Sequence, residues 1–251
     1  MEINYKGGQP MPENVKEALN YLRKVGVMTR PTWNNYFAKG NPHWKRDQLL
    51  SLIRKGVLNR HSCNHQKDTW VLSDWCIDQL RRLGLTSVRP VPPQLIEHDE
   101  TVGTSLLILK RSGACQEWVS ERELKMMNSK SFIVQRLGNE TKYPDAVFKM
   151  IFEEKPWIVA IEYERTGKST SRYRSILRQY GKLESVNQIL YVTEDKSISK
   201  RIQSAMNQIG DKVLMGRIGY INAIEWKKDP MAACIYKTGK TTSFNQIFKL
   251  K

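Results

Sequence analysis

Apolar residues recur at helical spacing through the first eighty positions and give way to alternating or continuous apolar runs further on. Val15, Leu19 and Leu22 stand four and three apart between Asn14, a residue suited to capping, and Gly26, so a helix to about Lys24 is expected. Pro31 and Thr32 introduce a short second helix that sets Trp33, Tyr36 and Phe37 at core spacing and stops at Gly40. A third begins at Pro42, with Trp44, Leu49, Leu52 and Ile53 as its apolar side. Two short strands, 57–60 and 69–72, flank HSCNHQKD, and Ser73 caps a fourth helix over 74–83. Three helices, a two-stranded wing and a closing helix predict a winged helix-turn-helix over residues 1–84; a small helical domain for protein contacts shares the pattern. His43, Lys45, Arg46 and Gln48 cluster at the start of the third helix, where a groove-inserted helix presents its DNA-binding side chains.

Pro90, Pro92 and Pro93 then interrupt any periodicity, and 85–97 reads as an extended linker. The second domain, 98–251, opens with a helix over 97–113. A strand is expected over 116–124, with Glu121 and Glu123 opposite Trp118 and Arg122, followed by an irregular polar stretch over 128–142. Strands over 145–152 and 157–164 form a hairpin around residues 153–156. A helix over 171–180 follows, its Tyr173, Ile176, Leu177 and Tyr180 spaced for the core and its Arg174, Arg178 and Lys182 on another face. A strand at 188–193, a helix at 197–209 and a last strand at 220–226 complete the pattern, and the tail from Asp229 is weakly patterned. The order predicts an α/β domain with a mixed sheet covered on both sides.

The candidate chemistry sits on that hairpin. Alternation along 157–164 puts Ile158, Ala160, Glu162 and Glu164 on one face and Tyr163 on the other. Two carboxylates thus leave the end of a buried strand about 6.5 Å apart, an arrangement that a divalent cation relieves. Asp145 supplies a third carboxylate from the neighbouring strand, and Mg²⁺ or Mn²⁺ suits such oxygen ligands. Lys168 is placed to stabilise a phosphate as a point charge. The competing reading pairs Glu162 and Glu164 with Arg165, Lys168 or Arg172 and leaves Asp145 as a turn residue.

Composition selects the partner. The net charge of +16 and pI near 9.7 call for a polyanion, and residues 1–84 hold fourteen basic and seven acidic residues. No apolar run approaches the roughly 20 residues of a spanning helix, and MEINYKGGQPMPENV lacks a secretory core, so nucleic acid in the cytoplasm is expected. Four scattered cysteines outline neither a disulfide framework nor a Cys-x-x-Cys pair. His61, Cys63 and His65 lack a fourth zinc ligand and read as a polar turn. No Gly-rich phosphate loop indicates nucleotide hydrolysis.

Taken together, His98, the run Glu117 to Leu124, Pro144-Asp145, Glu162-x-Glu164-x-Thr166-x-Lys168-Ser169, Arg172-Tyr173 and Tyr180 resemble the replication-relaxation family. The size is similar to that of MobC-type plasmid mobilisation relaxases. The resemblance implies a PD-(D/E)XK restriction-endonuclease-like domain, in which a helix, an acid-bearing hairpin and a crossing helix build a metal-dependent phosphodiesterase centre. It makes Asp145 and Glu162 metal ligands, Glu121 a further acid on the preceding strand, and His98 a group approaching from the first helix. It implies nicking of one DNA strand at a plasmid transfer origin, with an accessory mobilisation protein and a secretion-system coupling protein as partners. Where the fold usually has lysine, this chain has Glu164, and Lys168 stands as its displaced substitute. Tyr163, facing away from the acids, argues for activated water over a tyrosyl link. A plasmid replication or transcription regulator with a silent nuclease-like domain is the alternative, and a double-strand-cutting nuclease would share the site.

Overall fold

The computed structural model describes residues 3–61, 68–126, 143–237 and 239–248. The chain divides into two compact units, residues 1–103 and 104–251. Cys63, His65 and the stretch 128–142 lie outside the described residues.

In the first unit, helix α1 (Glu13–Val25) follows Pro12 and ends at Gly26, whose left-handed φ of 86° lets its N–H reach Leu22 O at 2.7 Å. Asn14 is not the cap: its amide donates to Phe37 O and ties α1 to the next turn. Strand β1 (Met28–Thr29) leads into α2 (Arg30–Thr32), which widens into a π-helical Trp33–Phe37. Helix α3 (Pro42–Arg54) starts on an Asn41 cap, and β2 (Leu58–Arg60) pairs antiparallel with β3 (Thr69–Leu72). β1 adds to the far side of β3, so the wing is three-stranded, in the order β1-β3-β2. Ser73 caps α4 (Asp74–Arg82). Trp33, Phe37, Leu49 and Leu52 are buried, as the helical spacing anticipates, but Trp44 is 66 % exposed. The Asn41 cap fixes Trp44 in the first turn, ahead of the buried stripe formed by Leu49 and Leu52.

The expected linker is extended but packed. Val88 N–H donates to Arg23 O at 2.9 Å, and Val88 and Val91 are buried. Helix α5 (Ile96–Arg111) contains the division between the units, which falls later than a linker over 85–97 anticipates.

The second unit is built on a seven-stranded sheet whose spatial order follows the chain order. β4 (Glu117–Ser120), β5 (Ala146–Phe152) and β6 (Lys155–Glu164) form an antiparallel meander. Glu153 and Glu154 alone make its second turn, both at positive φ, as a two-residue hairpin requires. Helix α7 (Thr170–Lys182) then crosses to β7 (Gln188–Thr193), parallel to β6, and α8 (Lys196–Ile209) and α9 (Lys212–Arg217) lead to β8 (Ile218–Asn222), also parallel. The undecided tail supplies β9 (Ile235–Lys237), β10 (Lys240–Thr242) and α11 (Phe244–Phe248), after α10 (Ala223–Lys228). One sheet face packs Val147, Ile158, Ala160 and Ile189 under α7 and α8. On the other, the Phe244 ring meets Phe148 and Trp226 at centroid distances of 6.0 and 6.3 Å.

Two expected strands end early, each at a cap. Residues 121–126 form helix α6 (Glu121–Met126) because Ser120 and Glu123 build a reciprocal capping box: Ser120 N–H donates to Glu123 Oε2 and Glu123 N–H to Ser120 Oγ, both at 3.2 Å. Glu121 therefore opens a helix and is not a strand residue. Likewise the Asn222 side chain accepts from Ile224 and Glu225 N–H and turns the end of 220–226 into α10. No helix among the described residues is long and apolar enough to cross a membrane.

Candidate metal centre and nucleic-acid surface

The registers of β4, β5 and β6 set three acids side by side at one end of the sheet. Ser120 pairs with Ala146 and Ala146 with Ile161, so the next step outward places Glu121 beside Asp145 and Asp145 beside Glu162. The ladder continues that far: Glu121 N–H donates to Asp145 O at 2.8 Å. In the parallel direction Glu162 pairs with Tyr191, and Tyr191 with Tyr220. A row of acids thus runs into a row of tyrosines.

Glu162 and Glu164 are each 3 % exposed, a costly place for a carboxylate without a donor. The Tyr180 hydroxyl, fully buried on α7, donates to Glu162 Oε1. Lys168 Nζ donates to Glu164 Oε2 from the connection into α7, its backbone held by N–H donation to the Tyr173 hydroxyl. Glu164 Oε1 and the Tyr191 hydroxyl are buried without a hydrogen-bond partner among the described residues. Asp145 Oδ2 accepts from Tyr163 N–H at 2.7 Å, ending the ladder with a side chain. Glu121 pairs with Lys125 along α6 at 2.7 Å. His98 falls in the first unit, its Nδ1 3.0 Å from Asp99 Oδ1.

Burial, followed by the charge of Glu162, pushes the Tyr180 phenol well above its ordinary range; Asp145 adds to the same effect. Burial and then Glu162 and Glu164 do the same to Tyr191. Both phenols therefore stay protonated at neutral pH, and Tyr180 acts as a donor. Tyr163 lies on the other face, where its hydroxyl donates to Glu194, which also accepts from Lys227 at 2.6 Å.

Oxygen-only donors from adjacent strands, one of them a buried carboxylate oxygen with no partner among the described residues, fit the chemistry of a hard cation. Among the described residues no three His, Cys, Asp or Glu side chains stand close enough to hold one ion as placed. Ligation therefore needs the Asp145 and Glu162 side chains to close on a common ion. Strand alternation and register put Asp145 and Glu162 in one row and Lys168 reaches Glu164, while the helical spacing reads Tyr180 only as core and nothing in the pattern singles out Tyr191. Their signal is the choice of tyrosine over phenylalanine at buried positions facing an acid-bearing strand.

The basic side chains divide into two sets. His43 and Arg46 on α3 are exposed, whereas Lys45 Nζ donates to Asn34 O and Gln48 Nε2 to Lys39 O, so both of these also hold the turn before the helix. On α7, Arg172, Arg178 and Lys182 are exposed and Arg174 half-buried, opposite the buried Tyr173, Ile176, Leu177 and Tyr180.

Removing only the phenol oxygen tests the Tyr180 contact. Tyr180→Phe is expected to weaken Mn²⁺ binding by roughly tenfold, the effect of losing a hydrogen bond that orients a ligand. Calorimetric Mn²⁺ titration of folded protein measures it, and an unchanged affinity would make the contact purely structural. Comparison of the chain with protein-family models, curated proteins and solved structures found no match.

Proposed function

We propose that the chain is a metal-dependent DNA endonuclease that nicks one strand, with its first unit locating the site and its second cleaving there. The observation that carries this reading is the shared row of Asp145 and Glu162 at the end of the β5–β6 hairpin, beneath a crossing helix with an outward basic face. A helix, three antiparallel strands, a crossing helix and a parallel strand, in that order, are the parts a PD-(D/E)XK-like domain needs. Helices α1 to α4 with the β2–β3 hairpin likewise support a winged helix-turn-helix. The more specific role, a relaxase at a plasmid transfer origin working with an accessory mobilisation protein and a coupling protein, rests on the family resemblance.

Asp145 and Glu162 would hold Mg²⁺ or Mn²⁺, with Glu164 beside them. When bound, such an ion supplies an acidified water and charge neutralisation at the scissile phosphate. The chain's own groups do the rest. Tyr180 orients Glu162, and Lys168, released from Glu164, offers a cation to the non-bridging phosphate oxygens. Arg172, Arg174, Arg178 and Lys182 hold the backbone on either side. Glu121, one step along the row from Asp145, is a candidate proton-transfer group. Tyr163, on the strand face away from the acids with its hydroxyl on Glu194, favours water over tyrosine as nucleophile.

One observation favours the silent alternative, a DNA-binding regulator: Glu162, Glu164 and Asp145 each already have a protein donor. Metal titration separates the two. Saturating Mn²⁺, at about 100 times its Kd, should stabilise the protein by about 2.7 kcal/mol through mass action and raise the melting temperature. Asp145→Ala should leave the curve flat, and a flat wild-type curve would favour the regulator.

A further inference from the structure

We propose that Trp44 is a stacking platform for an unpaired nucleotide, so that the first unit recognises DNA that is locally single-stranded. This rests on the nucleic-acid reading of that unit and specifies the form of DNA it takes. Tryptophan is the largest apolar side chain and usually sits well inside a protein, yet Trp44 is 66 % exposed while Trp33 and Trp70 in the same unit are buried. Nor is its position slack. Asn41 Oδ1 accepts from Trp44 N–H at 3.0 Å, which sets the residue in the first turn of α3. Beneath it Gly40 has φ of 90°, and a Cβ there would stand 3.3 Å from Trp44 Cβ and 3.7 Å from Cγ. The turn is therefore held close under the base of the side chain, and Gln48 closes it by donating to Lys39 O.

The surroundings select the partner. Lys39, His43, Lys45 and Arg46 lie within five positions of Trp44, and Asp47 is the sole acid in that span. An indole with basic neighbours along the chain suits a polyanion that also carries flat rings, which describes nucleic acid better than an apolar protein surface. Within a paired duplex both faces of each base are covered by its neighbours. An exposed indole gains most from a base whose face is open, that is, an unpaired one. Such a preference would also serve a nickase, because an unpaired strand is distinguished from its complement.

The test compares binding of the full chain to three labelled DNAs at one fixed salt concentration: a single strand, the matched duplex, and the duplex with a central unpaired bubble. Trp44→Ala should weaken binding to the single strand and the bubble about tenfold, within the range for one base stacked on one aromatic ring, and change duplex affinity by less than about twofold. Trp44→Phe should keep most of the affinity. Arg46→Ala, removing a phosphate contact, should weaken all three alike. Equal losses on duplex and bubble, or no loss at all, would overturn the stacking role. If wild-type protein bound none of the three DNAs, the nucleic-acid reading itself would fail.

Discussion

Replacing Glu162 by alanine is expected to reduce strand cleavage on the order of 10³-fold, with little change in melting temperature. The first half follows from position: Glu162 is the carboxylate that shares a row with Asp145 and is aimed by a buried donor. The second half follows from opposing terms. The substitution leaves the Tyr180 hydroxyl without its acceptor, which costs about 1–3 kcal/mol. It also removes a carboxylate that is 3 % exposed, a group whose desolvation disfavours folding. A purely structural carboxylate should behave differently, because loss of a paired buried charge that holds the fold together lowers stability as well. Cleavage assays and thermal melts on the same preparation separate the two cases. A large fall in melting temperature would assign Glu162 to the scaffold.

Gly26→Ala is expected to destabilise the first unit by about 3 kcal/mol. Two costs add. Gly26 has φ of 86°, which an alanine adopts only at a penalty of about 1–2 kcal/mol. A Cβ there would also lie 2.6 Å from Arg89 O, and a backbone carbonyl in a segment anchored by Val88 and Val91 cannot swing aside as a flexible side chain would. Hydrogen exchange at Val88, whose N–H is bonded to Arg23 O, reports the effect locally and avoids assuming two-state unfolding of a two-unit chain. Protection there should fall by about 100-fold. Unchanged protection would mean that residues 86–91 do not pack on the end of α1.

These two sites also mark what the sequence reveals. The hairpin that bears Glu162 on its second strand and Asp145 just before its first is legible because its apolar runs are long and bounded by a polar turn, so registry alone aligns the two acids. The helical face of α7 is legible for the same reason: Tyr173, Ile176, Leu177 and Tyr180 are spaced as one stripe and are all buried. What escapes is decided by local side-chain bonds that override the pattern. The Ser120–Glu123 capping box turns a strand into a helix, and Asn222 does so at the end of β8. Both caps are written in the sequence, but apolar periodicity does not register them. The packing of 85–91 is hidden for another reason. Prolines correctly forbid a helix there, while the valines between them are too few to show a period, so burial has no local signature. Trp44 is the converse case, an apolar residue on a helix that its cap turns outward.

The most direct measurement of the central claim uses supercoiled plasmid carrying a candidate transfer origin, incubated with the protein and Mg²⁺ or Mn²⁺. Wild type, Asp145→Ala and Glu162→Ala are compared, and phenol partition of the product reports any attached protein. A metal-dependent nickase should convert the plasmid to open circles only with the ion, the origin and both acids present, leaving the cut ends free of protein. Tight origin binding by wild type with no nick at any metal concentration would contradict the account.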